Sequence, residues 1–257
     1  MVRRLDRSVI LLALLALTVL SWLWLISLGR GMSDKDMASM PGMAMPVPMP
    51  APWGAARFGL TFAMWWVMMI GMMLPGAAPI ILMFTTVNRN KRARGQDFVP
   101  VSVFTLGYLL VWGFFSAGAT VAQWALDQLA MLSASLMMIS PTAGGALLIA
   151  AGIYQFTPLK QACLHHCRSP VAFVLNSWHD GRAGALRMGV EHGTFCLGCC
   201  WVLMALLFVV GVMNLLLVAA IAAFVLVEKL LPGGAWLGRL GGGAMIAVGA
   251  WLAAGSA

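Results

Sequence analysis

The segment RFGLTFAMWWVMMIGMMLPGAAPIILMFTT, residues 57–86, decides the structural class of this protein. Its only charged residue is Arg57, at the first position. At about 1.5 Å per residue, a helix of this length crosses the roughly 30 Å hydrocarbon core of a bilayer. The segment lacks the alternating ten-residue pattern of a membrane β-barrel. It therefore predicts a membrane-spanning α-helix.

Six further apolar runs extend this prediction along the chain, at about residues 8–28, 99–124, 134–156, 190–210, 213–230 and 238–254. Hydrophobic residues make up 61% of the sequence and charged residues 9%, with a mean hydropathy of +0.91. This composition leaves too little polar surface for a water-soluble particle. The sequence predicts an all-α integral membrane protein, a bundle of about seven transmembrane helices in a lipid bilayer.

The chain divides into three parts: a first span at 1–28, a linker at 29–53 and a six-helix membrane domain at 54–257. Prolines in the linker disfavour a helix and predict an extended periplasmic segment. The linker also carries a group of methionines, which suit weak capture of copper(I) outside the membrane: Met32, Met37, Met40, Met43, Met45 and Met49.

We use the positively charged residues behind the net charge of +8 to predict how the chain is oriented across the membrane. Lys and Arg accumulate in short loops on the cytoplasmic side of a membrane. With the N-terminus cytoplasmic and the C-terminus periplasmic, thirteen of the sixteen Lys and Arg residues lie inside. The sequence thus predicts a multi-pass protein of the bacterial inner (plasma) membrane, and no nucleic-acid partner.

All five cysteines and all four histidines fall between residues 163 and 200, within the membrane domain. Helical spacing places His192, Cys196, Cys199 and Cys200 on one face of a helix, and Cys163 and Cys167 on one face of the preceding segment. We expect the two segments to meet at the inner membrane face. The predicted metal ligands are Cys163, His166, Cys167, His192, Cys196, Cys199 and Cys200.

Thiolates and thioethers select soft metal ions, so copper(I) is favoured, with zinc or an iron–sulfur centre as alternatives. The predicted helix at 57–86 adds a stripe of methionines, which is more often simple packing than a metal pathway. As candidate weak copper contacts we take Met64, Met68, Met72, Met69 and Met73.

Four strings resemble a bacterial family of predicted metal-binding integral membrane proteins: YQFTPLKQACLHHCRSP (154–170), HGTFCLGCCW (192–201), EKLLP (228–232) and MMLP (72–75). The resemblance covers roughly residues 53–255, leaving out the first span and the methionine-rich linker. It implies a multi-span bundle that binds metal through the matched cysteines and histidines.

The leading functional hypothesis is an inner-membrane protein that binds copper(I) for metal handling, transport or delivery, with a metal-receiving protein or membrane complex as partner. The alternative is a membrane redox protein, or an assembly subunit, that uses the cysteines for an iron–sulfur or haem centre or for dithiol exchange. Neither the cysteine- and histidine-containing segment nor the methionine stripe identifies a catalytic residue. An enzyme is the less favoured interpretation.

Overall fold

The computed structural model describes residues 2–37, 52–95, 98–129 and 140–255, and only the backbone of residues 2–6 and 31–37. Within these ranges all regular secondary structure is α-helix, which confirms the predicted all-α class. The helices run in the order α1 (Val2–Met37), α2 (Ala55–Ala93), α3 (Val101–Gln128), α4 (Pro141–Gln155), α5 (Pro158–Arg168), α6 (Pro170–Asn176), α7 (Gly181–Ala205), α8 (Leu207–Val210), α9 (Leu215–Leu230) and α10 (Gly234–Ala254).

Five stretches among the described residues are long and apolar enough to cross a membrane: Arg7–Arg30, Ala55–Ala93, Val101–Gln128, Gly181–Val210 and Gly234–Ala254. Helices α4 and α9, with 15 and 16 residues, are shorter than the roughly 20 residues of a typical span. The predicted total of about seven spans is therefore not confirmed, and the direction of the chain through the membrane stays a prediction.

Two predicted boundaries differ from the structure. Helix α1 continues to Met37, so residues 29–37 are helical although the linker was expected to begin at 29. The first proline after this span is Pro41, and nothing before it forces the helix to end. The remaining linker methionines from Met40 to Met49 lie outside the described residues. Helix α7 begins at Gly181, whereas a span was predicted only from about residue 190.

Glycines allow the backbones of α3 and α7 to touch. A Cβ atom at Gly107 would lie 2.3 Å from the carbonyl oxygen of Leu186, and one at Gly189 would lie 2.0 Å from that of Phe104. Both distances are far inside van der Waals contact, so only glycine fits at this crossing. The contact fixes the height of α7, and with it the height of the α7 cysteines, relative to α3.

A second close pair joins α4 to α10. A Cβ atom at Gly145 would lie 2.7 Å from the carbonyl oxygen of Gly249, and a Cβ atom at Gly249 would lie 2.7 Å from that of Gly145. Such reciprocal glycine contacts are typical of helix packing in membranes. Since α5 follows α4 after only two residues, this pair also positions the first two cysteines.

Replacing Gly107 by alanine is expected to destabilise the protein, because the new methyl group meets the α7 backbone and forces the helices apart. Overpacking of this kind typically costs about 1–3 kcal/mol. Gly118→Ala on the same helix is the matched control, since nothing lies within 4 Å of its Cβ position. Thermal unfolding of both variants in detergent measures the difference. Equal midpoints for Gly107→Ala and Gly118→Ala would contradict the proposed helix contact.

Candidate metal centre

Three of the five cysteines share one buried face of α7. Cys196, Cys199 and Cys200 are each no more than 2% exposed. Their spacing of three and four residues places them on one side of the helix, as the sequence predicted. The thiols of Cys199 and Cys200 both donate hydrogen bonds to the carbonyl oxygen of Cys196, at 3.0 Å. The sulfur atoms are thus turned towards the interior of the bundle.

Helix α5 brings a fourth cysteine to this face. Its N-terminus is defined by Thr157, whose hydroxyl accepts a hydrogen bond from the Lys160 backbone N–H at 3.3 Å, followed by Pro158. At the other end of α5, the interaction of Cys167 with the neighbouring Cys196 and Cys199 thiols raises the pKa of Cys167 well above the ordinary thiol value.

Cys163 lies beside this group and is less enclosed. It is only half-buried, and its sulfur would be 2.7 Å from a Cβ atom at Gly198. The missing side chain of Gly198 therefore leaves the space that Cys163 occupies. Burial raises the pKa of the Cys163 thiol, and the negative charge of a Cys199 thiolate raises it further.

Helix α2 contributes a thioether. The Cys200 sulfur lies 3.9 Å from the Sδ atom of Met73, which is 1% exposed. We call the sulfurs of Met73, Cys167, Cys196, Cys199 and Cys200 the sulfur cluster. It joins three helices, α2, α5 and α7, that are far apart in the sequence.

A buried lysine from α9 contacts this cluster. The Nζ atom of Lys229 lies 2.9 Å from the Cys196 sulfur and 3.8 Å from the Met73 sulfur. The Tyr108 hydroxyl, from α3, is 3.1 Å from the same Cys196 sulfur and also donates to the Met73 carbonyl oxygen. An ammonium at this distance stabilises a thiolate at Cys196.

The residue next to Lys229 forms a second buried contact. The Glu228 carboxylate pairs with the Lys160 ammonium at 2.6 and 2.8 Å, and the two side chains are 2% and 0% exposed. Lys160 also donates to the Gln155 side-chain oxygen. Because Lys160 lies on α5, this ion pair holds α5 against α9 and so helps to position Cys167.

The two predicted histidine ligands occupy different surroundings. His192 is 2% exposed and is enclosed by the rings of Phe104, Tyr108 and Phe173. Its Nδ1 atom is buried without a hydrogen-bond partner, and His192 precedes Cys196 by one helical turn.

His166 is exposed, stacks on Phe195 with ring centroids 4.1 Å apart, and shares a hydrogen bond with the Ala162 carbonyl oxygen. These contacts of His166 include no sulfur atom.

The methionine stripe predicted on α2 is buried throughout: Met64, Met68, Met69, Met72 and Met73 are at most 6% exposed. Met73 lies sixteen residues from both Arg57 and Arg89, or about 24 Å along the helix in each direction. The sulfur cluster is therefore at the middle of α2.

The partners of the sulfur cluster were not predicted. Lys229 and Glu228 lie at the end of the apolar run at 213–230, and α9 carries them in an otherwise apolar helix, where charged side chains require partners. Tyr108 had no distinguishing signal. In the described ranges, no three His, Cys, Asp or Glu side chains are grouped as in a preformed metal site. One member of the sulfur cluster is a methionine, which is not among these donor types.

Comparison with known proteins identifies one family. Residues 62–252, about three quarters of the chain, match the PpoB2 family, which is described as a copper chaperone. The chain therefore belongs to this copper chaperone family. The match supports the predicted connection with copper. No curated protein and no solved structure matches the chain.

Replacing Lys160 by methionine is expected to destabilise the protein strongly, because Glu228 then stays buried without its cation. Removing one partner of a buried ion pair typically costs about 3–5 kcal/mol, whereas replacing both partners by apolar residues is often neutral. The double variant Lys160→Met/Glu228→Met should therefore recover most of the loss. Thermal unfolding in detergent compares the two. A single variant as stable as the original protein would contradict the role of this pair.

Proposed function

We propose that this member of the copper chaperone family is an inner-membrane protein that binds copper(I) at the sulfur cluster and passes it to a receiving protein or membrane complex. The observation that supports the proposal is the convergence of one thioether and four thiols from α2, α5 and α7. Copper is the cargo here, and the sulfur atoms are its exchangeable ligands.

The chemistry of these donors favours copper(I) over harder ions. Thiolates and thioethers are soft ligands, which suit copper(I), and the cluster contains no carboxylate. Cys196, Cys199 and Cys200, with Cys167 and Met73, offer more donors than one ion requires. An ion bound by two or three of them has further sulfurs next to it, which suits transfer from one ligand set to another. His192 is the nitrogen ligand we propose, because its buried Nδ1 is unpaired.

The charge of Lys229 adds selectivity. Two thiolates and one ammonium leave a net charge of −1 in the cluster, which a monovalent copper(I) ion neutralises. A divalent zinc ion would leave a charge of +1 inside an apolar bundle, where an uncompensated charge is costly. We therefore propose that Lys229 acts as the counter-charge of a copper(I) bis-thiolate centre.

The proposed location is supported by the five apolar helices and by the distribution of charge. Under the orientation predicted from Lys and Arg, the N-terminus is cytoplasmic and Arg57 marks the periplasmic end of α2. Copper(I) would be captured by the methionines of the 29–53 linker and would pass the buried methionines of α2. It would then reach the sulfur cluster, which binds it more tightly. The direction in which copper(I) is delivered depends on the receiving partner.

Replacing Cys196 and Cys199 by serine tests the binding site. The purified protein should take up copper(I) under reducing conditions, and Cys196→Ser/Cys199→Ser should lower its affinity at least tenfold, because serine hydroxyls are poor ligands for soft ions. His165→Ala is the control, since this exposed histidine is outside the predicted ligand set. Competition with a copper(I) chelator measures the affinity.

Two results would contradict the proposal. One is an equal affinity for copper(I) in the serine variant and the original protein. The other is an iron cofactor in the purified protein, visible as absorption bands that copper(I) and zinc thiolates lack. The second result would favour the redox alternative.

Replacing Lys229 by methionine tests the selectivity. Without the ammonium, a copper(I) bis-thiolate carries a buried negative charge and a zinc bis-thiolate becomes neutral. The ratio of copper(I) affinity to zinc affinity should therefore fall at least tenfold, while Lys229→Arg should preserve it. Competition titrations with both metals give the ratio. An unchanged ratio in Lys229→Met would show that Lys229 has only a packing role.

A further inference from the structure

Two contacts define how α2 faces α7. The rings of Trp65 and Phe208 lie with centroids 5.0 Å apart, and the sulfurs of Met73 and Cys200 are 3.9 Å apart. From the first contact to the second, the residue number rises by eight on α2, from Trp65 to Met73. Over the same distance it falls by eight on the other segment, from Phe208 to Cys200. Helices α2 and α7 with α8 are therefore antiparallel here, and they face each other across these two contacts.

Two methionines lie between the contacts. Met69 is four residues from both Trp65 and Met73, and Met204 is four residues from both Cys200 and Phe208. Residues four apart share a face of a helix, and Leu206 keeps a helical conformation between α7 and α8. This spacing therefore places Met69 and Met204 on the facing sides at the same level. Both side chains are completely buried, with 0% exposure. Met204 was not among the metal ligands predicted from the sequence.

We infer that Met69 and Met204 form a second, weaker copper(I) site, one helical turn from the sulfur cluster. The inference rests on the function proposed above. Two thioethers are soft but uncharged, so they bind copper(I) less tightly than thiolates do. An ion that moves through a protein needs such weak sites, because a strong site would retain it.

The position of Met69 and Met204 suits a site that copper(I) occupies before it enters the sulfur cluster. Met69 lies twelve residues from Arg57 and twenty from Arg89, on the side of the cluster that we predict to be periplasmic. One turn of helix, about 6 Å, separates it from Met73. The Trp65 and Phe208 rings lie between this pair and the Arg57 end of α2, and the Trp65 indole N–H is held by the Gln123 side chain at 2.7 Å. An ion from the Arg57 side has to pass these two rings, and it then meets the thioether pair before the thiols.

The test compares the rate of copper(I) loading with the final amount bound. Met69→Leu/Met204→Leu removes both thioethers with little change in volume. Met188→Leu is the matched control, because Met188 is on the same helix and is equally buried, but lies on the other side of the cluster. Copper(I) itself is the probe, and it is added anaerobically to the protein in vesicles, from the side of the membrane on which the Arg57 end of α2 lies. The ultraviolet absorption of the thiolate–copper(I) bond reports arrival at the cluster.

We expect the double variant to bind as much copper(I) at equilibrium as the original protein, but to load at least tenfold more slowly, whereas Met188→Leu loads normally. Equal loading rates would overturn the thioether site and leave the sulfur cluster intact. A loss of equilibrium binding that also appears in Met188→Leu would show that these methionines only pack the bundle. If the original protein takes up no copper(I), the proposed function fails and this inference fails with it.

Discussion

A charged ammonium inside an apolar bundle requires partners that accept its charge, and for Lys229 those partners are sulfur atoms. Its contacts with Cys196 and Met73 tie α9 to α7 and α2. The adjacent Glu228 ties the same helix to α5 through Lys160. Two consecutive residues of α9 thus hold the three helices that carry the sulfur donors, and in the proposed copper(I) bis-thiolate centre Lys229 balances one of the two thiolate charges.

The chemistry of the donors changes along the axis of the bundle. Buried thioethers line α2 from Met64 to Met73, and Met204 is buried on α7. Thiols then follow at the middle of the bundle, beside Lys229. Donor strength therefore increases from the Arg57 end of α2 towards the centre. A gradient of this kind favours inward movement of a soft ion and retention at the thiols, from which a partner can remove it.

The helices could be predicted from the sequence because each long apolar run imposes its own local structure. The grouping of Cys196, Cys199 and Cys200 on one face also followed from helical spacing alone. The ends of α1 and α7 were not predicted, because both helices extend beyond their apolar runs into segments that contain charged residues. The contacts of Lys229, Tyr108 and Met204 were equally inaccessible, since they depend on how α2, α3, α7 and α9 pack together. The burial of Lys160 by Glu228 depends on the same packing.

The most direct test of the account is X-ray absorption spectroscopy at the copper edge on the purified, copper(I)-loaded protein. We predict that two or three sulfur atoms surround the metal, with at most one nitrogen, and that Cys196→Ser/Cys199→Ser removes most of this sulfur signal. A coordination shell dominated by nitrogen or oxygen, or a sulfur signal that is unchanged in the serine variant, would contradict the assignment of the copper site to the sulfur cluster.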